Sequence, residues 1–151
     1  MIEIVKGNLL DARADAICHQ VNCQNKMGAG LAKAIYTKWP IVKTEYHSFC
    51  EQFKDPYSLL GKLCVVKARP GQPFDIVNVF GQLNYGWDKV CYTDYDALRN
   101  AFTLLRLKYI GRTIAFPYNF GCGLAGGNWD VVYNLIDHQL IGVKVLLYQN
   151  E

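Results

Sequence analysis

The sequence predicts a three-layer α/β/α sandwich with a mixed central sheet. Three observations lead there. Short β-rich runs alternate with helical patterns. The strand-like runs are apolar without polar alternation, as in a sheet covered on both faces, and residues 113 to 148 read as one β-α-β unit. The 151 residues carry no Ser/Gly/Pro-rich linker and no internal repeat, so residues 1–151 read as one domain.

The elements follow in order. Ile2 to Val5 and Ala16 to Val21, each flanked by turn-forming Gly, Asn or Asp, read as strands. From Leu31 the period changes: Leu31, Ala34, Ile35 and Trp39 fall at i, i+3, i+4 and i+8, the face of a helix that Pro40 terminates. Tyr46, Phe49, Cys50 and Phe53 repeat in the same way, which predicts a second helix with His47 and Glu51 toward solvent. Leu63 to Lys67 and Ile76 to Phe80 form the next strand pair. The short link Pro70-Gly71-Gln72-Pro73 makes them antiparallel neighbours. Residues 82 to 93 are polar and aromatic and read as a loop; Asp94 then caps a helix with the stripe Tyr95, Leu98, Phe102 and Leu105. Thr113 to Pro117 is a strand and 118 to 128 a glycine loop. Trp129 to Leu140 is a helix aligned on Trp129, Val132, Tyr133 and Ile136, and Val143 to Tyr148 is the last strand.

Composition narrows the function classes. With 51% hydrophobic and 19% charged residues the chain buries a core and is not a disordered segment. Six cysteines without a CxxC pair read as free thiols of a reduced, cytoplasmic protein. No 18-residue apolar run occurs, and Met1 to Gly7 has none of the regions of a signal peptide, so neither membrane association nor export is expected. A net charge of +3, evenly spread, is too small for duplex binding by counterion release, and nucleic acid is not the expected partner. A nucleotide or RNA reader using Tyr85, Trp87 and Tyr92 is a lower-ranked alternative. The expected oligomeric state is a monomer.

Six of the 13 glycines lie in two loops. The first, Asn22 to Gly30, joins a strand to a helix, so backbone N–H groups and the helix N-terminus face outward at the strand's carboxyl end. The second, Gly121 to Asn128, occupies the same kind of junction, and its missing side chains let a diphosphate approach the backbone. Either loop alone is compatible with an ordinary tight turn. Together, at equivalent junctions, they predict one anionic ligand clamped between them. Gly121 to Gly126 matches GxGxxG, but only one strand remains beyond it, which is not the context of a nicotinamide-binding unit. Neither loop ends in Gly-Lys-Ser/Thr, so a Walker loop is absent.

Few groups remain for chemistry. Ser48 and Ser58, the two serines, lie outside any GxSxG turn. Cys23 and Cys122 sit in the glycine loops, either as thiols lowered in pKa by backbone dipoles or as small apolar filler. Cys18 and His19 point to opposite faces of their strand and cannot chelate together, so no metal site is expected. His19, three residues before Asn22, is either a hydrogen-bonded core histidine or a general acid/base facing the ligand. Asn22 suits a ribose hydroxyl, a held water or a backbone turn. His47 and His138 read as surface residues on helices.

With their surroundings, the two loops resemble the macro domain family of ADP-ribose-binding modules over nearly the whole chain. Val5-Lys6-Gly7-Asn8-Leu9-Leu10 looks like the first-strand motif whose polar residue contacts adenine, where many members have Asp and this chain has Asn8. His19 to Asn25 followed by Met27-Gly28-Ala29-Gly30-Leu31-Ala32 is similar to the segment that cradles the distal ribose. Gly121-Cys122-Gly123-Leu124 resembles the diphosphate loop, and Leu147-Tyr148-Gln149 the strand bordering the adenine pocket. The nearest branch by likeness contains the yeast ADP-ribose-1''-phosphate phosphatase and the terminal ADP-ribose glycohydrolases. Lys6-Gly7-Asn8, His19-x-x-Asn22-Cys23, Leu60-Gly61-Lys62 and the helix Tyr46 to Cys50 carry that likeness. Members working through a lysine–aspartate pair carry the lysine near Gln82 and the aspartate near Ala125; this chain has neither.

The resemblance implies ADP-ribose, or an ADP-ribosylated substrate, bound by Asn8, Leu9, Asn22, Met27, Gly28, Ala29, Gly30, Gly121, Cys122, Gly123, Leu124, Ala125 and Tyr148. It implies hydrolysis of the 1''-phosphate or of an ADP-ribosyl adduct, with His19 and Asn22 as catalytic residues and with neither metal nor cofactor. A binding module that catalyses nothing is the alternative.

Overall fold

The computed structural model describes residues 1–150. Its frame is one six-stranded sheet in the order β1-β6-β5-β2-β4-β3. The strands are β1 (Ile2–Lys6), β2 (Ala16–Asn22), β3 (Leu63–Val66), β4 (Asp75–Gln82), β5 (Thr113–Pro117) and β6 (Lys144–Gln149). All neighbours run parallel except β3 on β4, the pair that the short connection makes antiparallel. The sheet is therefore mixed, as the sequence predicts.

Helices α1 (Gly30–Lys38) and α2 (Ile41–Glu51) cover one face, and α3 (Tyr95–Tyr109) and α4 (Trp129–Gln139) the other. Strand β2 shows how the layers divide. Ala16 and Cys18 enter the core beneath α3 and α4, whereas Ile17 and Val21 pack toward α1 and α2. The period of two sends His19 with Ile17 and Val21, and Gln20 with Ala16 and Cys18. One residue of spacing decides which layer each serves.

The helical readings hold with local corrections. In α1, Ile35 and Trp39 are buried but Ala34 is exposed, so the apolar face is narrower than its periodicity suggests. Pro40 ends α1 and also opens α2, which starts at Ile41, because the first turn tolerates the missing N–H. Asp94 caps α3 by accepting from the Ala97 N–H at 2.9 Å, as expected. Phe102, Phe116 and Phe120 pack edge-on or tilted beneath α3, each burial contributing about 2 kcal/mol. All six cysteines are free thiols. Among the described residues no helix is long and apolar enough to cross a membrane.

Candidate functional site

Strands β2 and β5 are parallel neighbours, so their carboxyl ends open at the same edge of the sheet. That is why two loops almost a hundred residues apart in the chain meet. Both line one cavity of about 690 Å³, within the usual range for small-ligand sites. His19, Asn22, Met27, Gly28, Ala29, Gly30, Gly121, Gly123, Leu124 and Ala125 all contribute to its wall.

The first loop is held from beneath. The Asn22 side chain accepts from the Gln24 N–H at 2.9 Å and donates to Lys26 O at 2.8 Å, closing an Asx turn. The fully buried Tyr46 of α2 points its hydroxyl at Asn22 O (2.8 Å) and Asn22 Oδ1 (3.1 Å). Asn25 takes a left-handed conformation (φ 58°) and meets His47 Nδ1. His47 is thus half-buried and spent on the loop, a correction to its reading as a solvent-facing residue. Helix α1 then begins with no side-chain cap at Ala29. Among the described residues the backbone N–H groups of Gly28 to Leu31 have no partner in the chain. The partial positive charge of the helix end is left facing the cavity.

The second loop turns through Asn119 (φ 64°), Gly121 (φ 72°) and Gly126 (φ 70°). Its own bonds, Gly126 N–H to Gly123 O and Gly127 N–H to Gly121 O, both 3.0 Å, leave the N–H groups of Gly123, Leu124 and Ala125 without partners among the described residues. The following helix is capped by Asn128, which accepts from the Asp130 N–H at 2.9 Å. The anion-ready part of this junction is therefore the bend, not the helix end. Cys122 departs from its expected place: its thiol turns to Phe120 O at 3.3 Å, packs against the α3/α4 core and does not line the cavity. Burial pushes the Cys122 thiol up to about 11 and the Cys23 thiol up to about 12, so neither is an activated thiolate.

His19 is 2% exposed. Its Nε2 lies 2.6 Å from Asn78 Oδ1, and Asn78 Nδ2 donates to Cys64 O at 3.3 Å. The Asn78 amide is thereby oriented, Oδ1 must accept, and the proton sits on His19 Nε2. Nδ1 is then a buried acceptor without a partner. Burial lowers the imidazole pKa to about 4, with the Asn78 bond opposing it, so His19 is neutral at pH 7.

A second cavity of about 310 Å³ adjoins the first and shares Leu31, Pro117 and Asn119 with it. Asn8, Leu9 and Tyr148 line it. Asn8 accepts from the Leu10 N–H at 2.9 Å, capping the one-turn helix Leu9–Asp11, and Tyr148 Oη accepts from the Arg13 N–H at 3.1 Å. The ligand groups read from the sequence thus fall into two adjoining hollows, with the two glycine loops around the larger.

Residues 82 to 93 close over the same cavity, which Gln82, Tyr85, Gly86 and Trp87 line. Sequence reasoning gave no role to Gln20, Tyr46, Asn78 or Thr93. Strand alternation could have separated Gln20 from His19; the apolar stripe marks Tyr46 as buried but not its bond to Asn22, and no sequence signal marks Asn78, because these pairings arise from packing between distant elements. Among the described residues no group of three or more His, Cys, Asp or Glu side chains gathers to hold a metal ion.

No family model matches the sequence. A segment of 54 residues is 39% identical to an ADP-ribose 1''-phosphate phosphatase of Aspergillus oryzae, a match spanning 35% of this chain and only 27% of that relative. Among solved structures, a protein of unknown function from Bacteroides thetaiotaomicron has TM-score 0.84 at 25% identity, covering 99% of this chain and 98% of its own. The macrodomain of Mycobacterium tuberculosis DarG has TM-score 0.77 at 28% identity, with 98% and 97% covered. Thermosipho africanus DarTG in complex with ADP-ribose shares the fold at TM-score 0.78 and 21% identity, over 98% of this chain and 41% of that one. With a mixed sheet in this order, two glycine loops meeting at one edge and full-length likeness to solved macrodomains, the chain has the macrodomain fold.

Proposed function

We propose that the paired cavities bind ADP-ribose and that the protein hydrolyses an ADP-ribose derivative without a metal, foremost the 1''-phosphate. One observation carries the binding reading. The unpartnered N–H groups of Gly28 to Leu31 and of Gly123 to Ala125 border a single cavity, an arrangement suited to an oxygen-rich anion such as a diphosphate. The lining includes Lys26 and no carboxylate, so nothing there repels phosphate.

The chemical reading is supported by His19 and by the Aspergillus relative. Nδ1 is a buried acceptor without a partner, so a water admitted beside it would be oriented by the neutral imidazole, which is a poor proton sink at a pKa of about 4. In the step we assign, the water oxygen forms a bond to phosphorus as the bond to the C1'' oxygen breaks. One water hydrogen stays on the new P–OH; the other passes to the phosphoryl group, whose second pKa of about 6 makes it a stronger base than the ring, and from there to the departing C1'' oxygen, which leaves as the hydroxyl of ADP-ribose. The products are inorganic phosphate and ADP-ribose, and the amides of Gly28 to Gly30 stabilise the charge that develops.

A binding module without turnover is favoured by one specific feature, the presence of Gln82 and Ala125 where an acid–base pair would stand. Incubation with ADP-ribose 1''-phosphate separates the two. Phosphate release that falls at least a hundredfold in His19→Ala supports hydrolysis. Calorimetric binding of ADP-ribose with no release from phosphate or ester substrates selects the module.

A further inference from the structure

Gln20 sits in β2 with its side chain on the α3 face, opposite that of His19, and it too lines the larger cavity. Its Nε2 donates twice, to Gln82 Oε1 at 2.9 Å and to Thr93 Oγ1 at 3.0 Å. Gln82 ends β4 and Thr93 precedes the cap of α3, so the two bracket the aromatic loop, and they pair with each other as an isolated antiparallel bridge. Thr93 Oγ1 in turn donates to Gly121 O at 2.6 Å, the first glycine of the second loop. One amide therefore touches both ends of one cavity wall and, through a single hydroxyl, the start of another.

The direction of every bond is fixed from outside. Gln82 Nε2 donates to Asn84 O at 2.8 Å, so Gln82 must present its oxygen to Gln20. The Thr93 hydrogen is spent on Gly121 O, so Thr93 Oγ1 can only accept from Gln20. Two backbone carbonyls thus demand a side chain at position 20 that donates twice from one nitrogen. The chain also makes room for it. A Cβ on Gly81 would collide with Gln20 Oε1, and one on Gly121 (φ +72°) would stand 2.9 Å from the same atom. Gln20 Oε1 is buried and without a partner, so the donating nitrogen alone orients the amide.

We propose that Gln20 is a positioning residue: its amide locks the loop of residues 83–92 to the second glycine loop and so sets the wall that the ligand meets. The loop's attachment on the other side is parallel to this one, with the Tyr92 and Thr93 N–H groups both donating to Ala125 O, at 2.7 and 3.2 Å. When Gln20 is lost, these two bonds open first. The ligand arm of the test rests on the ADP-ribose reading; the structural arm does not.

The test uses the full chain with Gln20→Glu, which keeps the shape and inverts the polarity, Gln20→Met, which keeps the volume and removes the bonds, and Thr93→Val. Amide hydrogen exchange is followed at Tyr92 and Thr93, with Ile17 and Cys18 in β2 as the core control. The inference predicts exchange at least tenfold faster at Tyr92 in each variant and at Thr93 in the two Gln20 variants, unchanged exchange at Ile17 and Cys18, and little further gain at Tyr92 when Gln20→Met and Thr93→Val are combined. Unchanged exchange at Tyr92 and Thr93, or a rise in step with the core amides, overturns it. If Gln20→Glu does not fold, the Met and Val variants give the same readout at Tyr92. In the ligand arm, the Kd for ADP-ribose rises about tenfold in Gln20→Met. Wild-type protein that does not bind ADP-ribose refutes the proposed function, while the exchange data still judge Gln20.

Discussion

The buried His19 makes stability depend on pH in a way that can be calculated. Burial penalises the charged ring and pushes its pKa down from the ordinary 6.5 of the unfolded chain to about 4 in the fold. The folded state therefore binds fewer protons than the unfolded state between those two values. Stability contributed by the neutral ring is fully present above pH 6.5 and is lost as pH falls toward 4. The loss amounts to about 2 kcal/mol at pH 5 and approaches roughly 3 kcal/mol near pH 4. His19→Gln removes the titration and keeps a polar side chain. Urea unfolding of both proteins at pH 7, 6, 5 and 4.5 isolates the term, since all other groups titrate alike. The stability gap between wild type and variant must shrink by about 2 kcal/mol from pH 7 to pH 5. Parallel curves would refute the reasoning, and so would a His19 imidazole titrating above pH 6 by NMR.

Three further substitutions probe how the loops are held and what they face. Tyr46→Phe leaves Asn22 O without its 2.8 Å donor in a buried setting, so urea unfolding should show a loss of about 1–2 kcal/mol, with weaker ADP-ribose binding by calorimetry. Gly121→Ala forces a left-handed residue and crowds Gln20 at 2.9 Å, costing about 2 kcal/mol and lowering Tm by roughly 4–8 °C. Gly123→Ala meets nothing within 4 Å of its new methyl group, so Tm should stay within a degree or so of wild type. Because that methyl stands at the cavity wall, ADP-ribose affinity should fall about tenfold or more, a loss of about 1.4 kcal/mol. Equal Tm changes at 121 and 123 would contradict the division of labour within the second loop.

The layers of the fold were legible because periodicity is a local signal. The apolar runs of β2 and β5 and the stripe of α3 carry their period in the chain itself, and the antiparallel β3–β4 pair follows from the length of one link. The convergence of the loops at Gly28–Gly30 and Gly121–Ala125 was legible as an expectation from their equivalent strand-to-helix junctions, although the sheet order that realises it was not. The supports of the site were hidden. Asn78 fixes the His19 tautomer from 59 residues away, and Tyr46 reaches Asn22 from a helix whose apolar stripe says only that its ring is buried. Cys122 lay in the right loop with its side chain on the wrong side, since a bend with positive φ at Asn119 and Gly121 rotates successive side chains out of the order a strand would give. Pairings set by tertiary packing leave no periodic trace, and Gln20, Gln82 and Thr93 are of that kind.

The central claim is that two glycine bends grip one ligand together. Amide chemical shifts during titration with ADP-ribose test it most directly. The claim predicts that Gly28 to Leu31 and Gly123 to Ala125 move together along one saturating curve, with the Lys108 and Ile110 amides at the far end of α3 unmoved. Movement of one loop alone, or of neither at millimolar ligand, would contradict it.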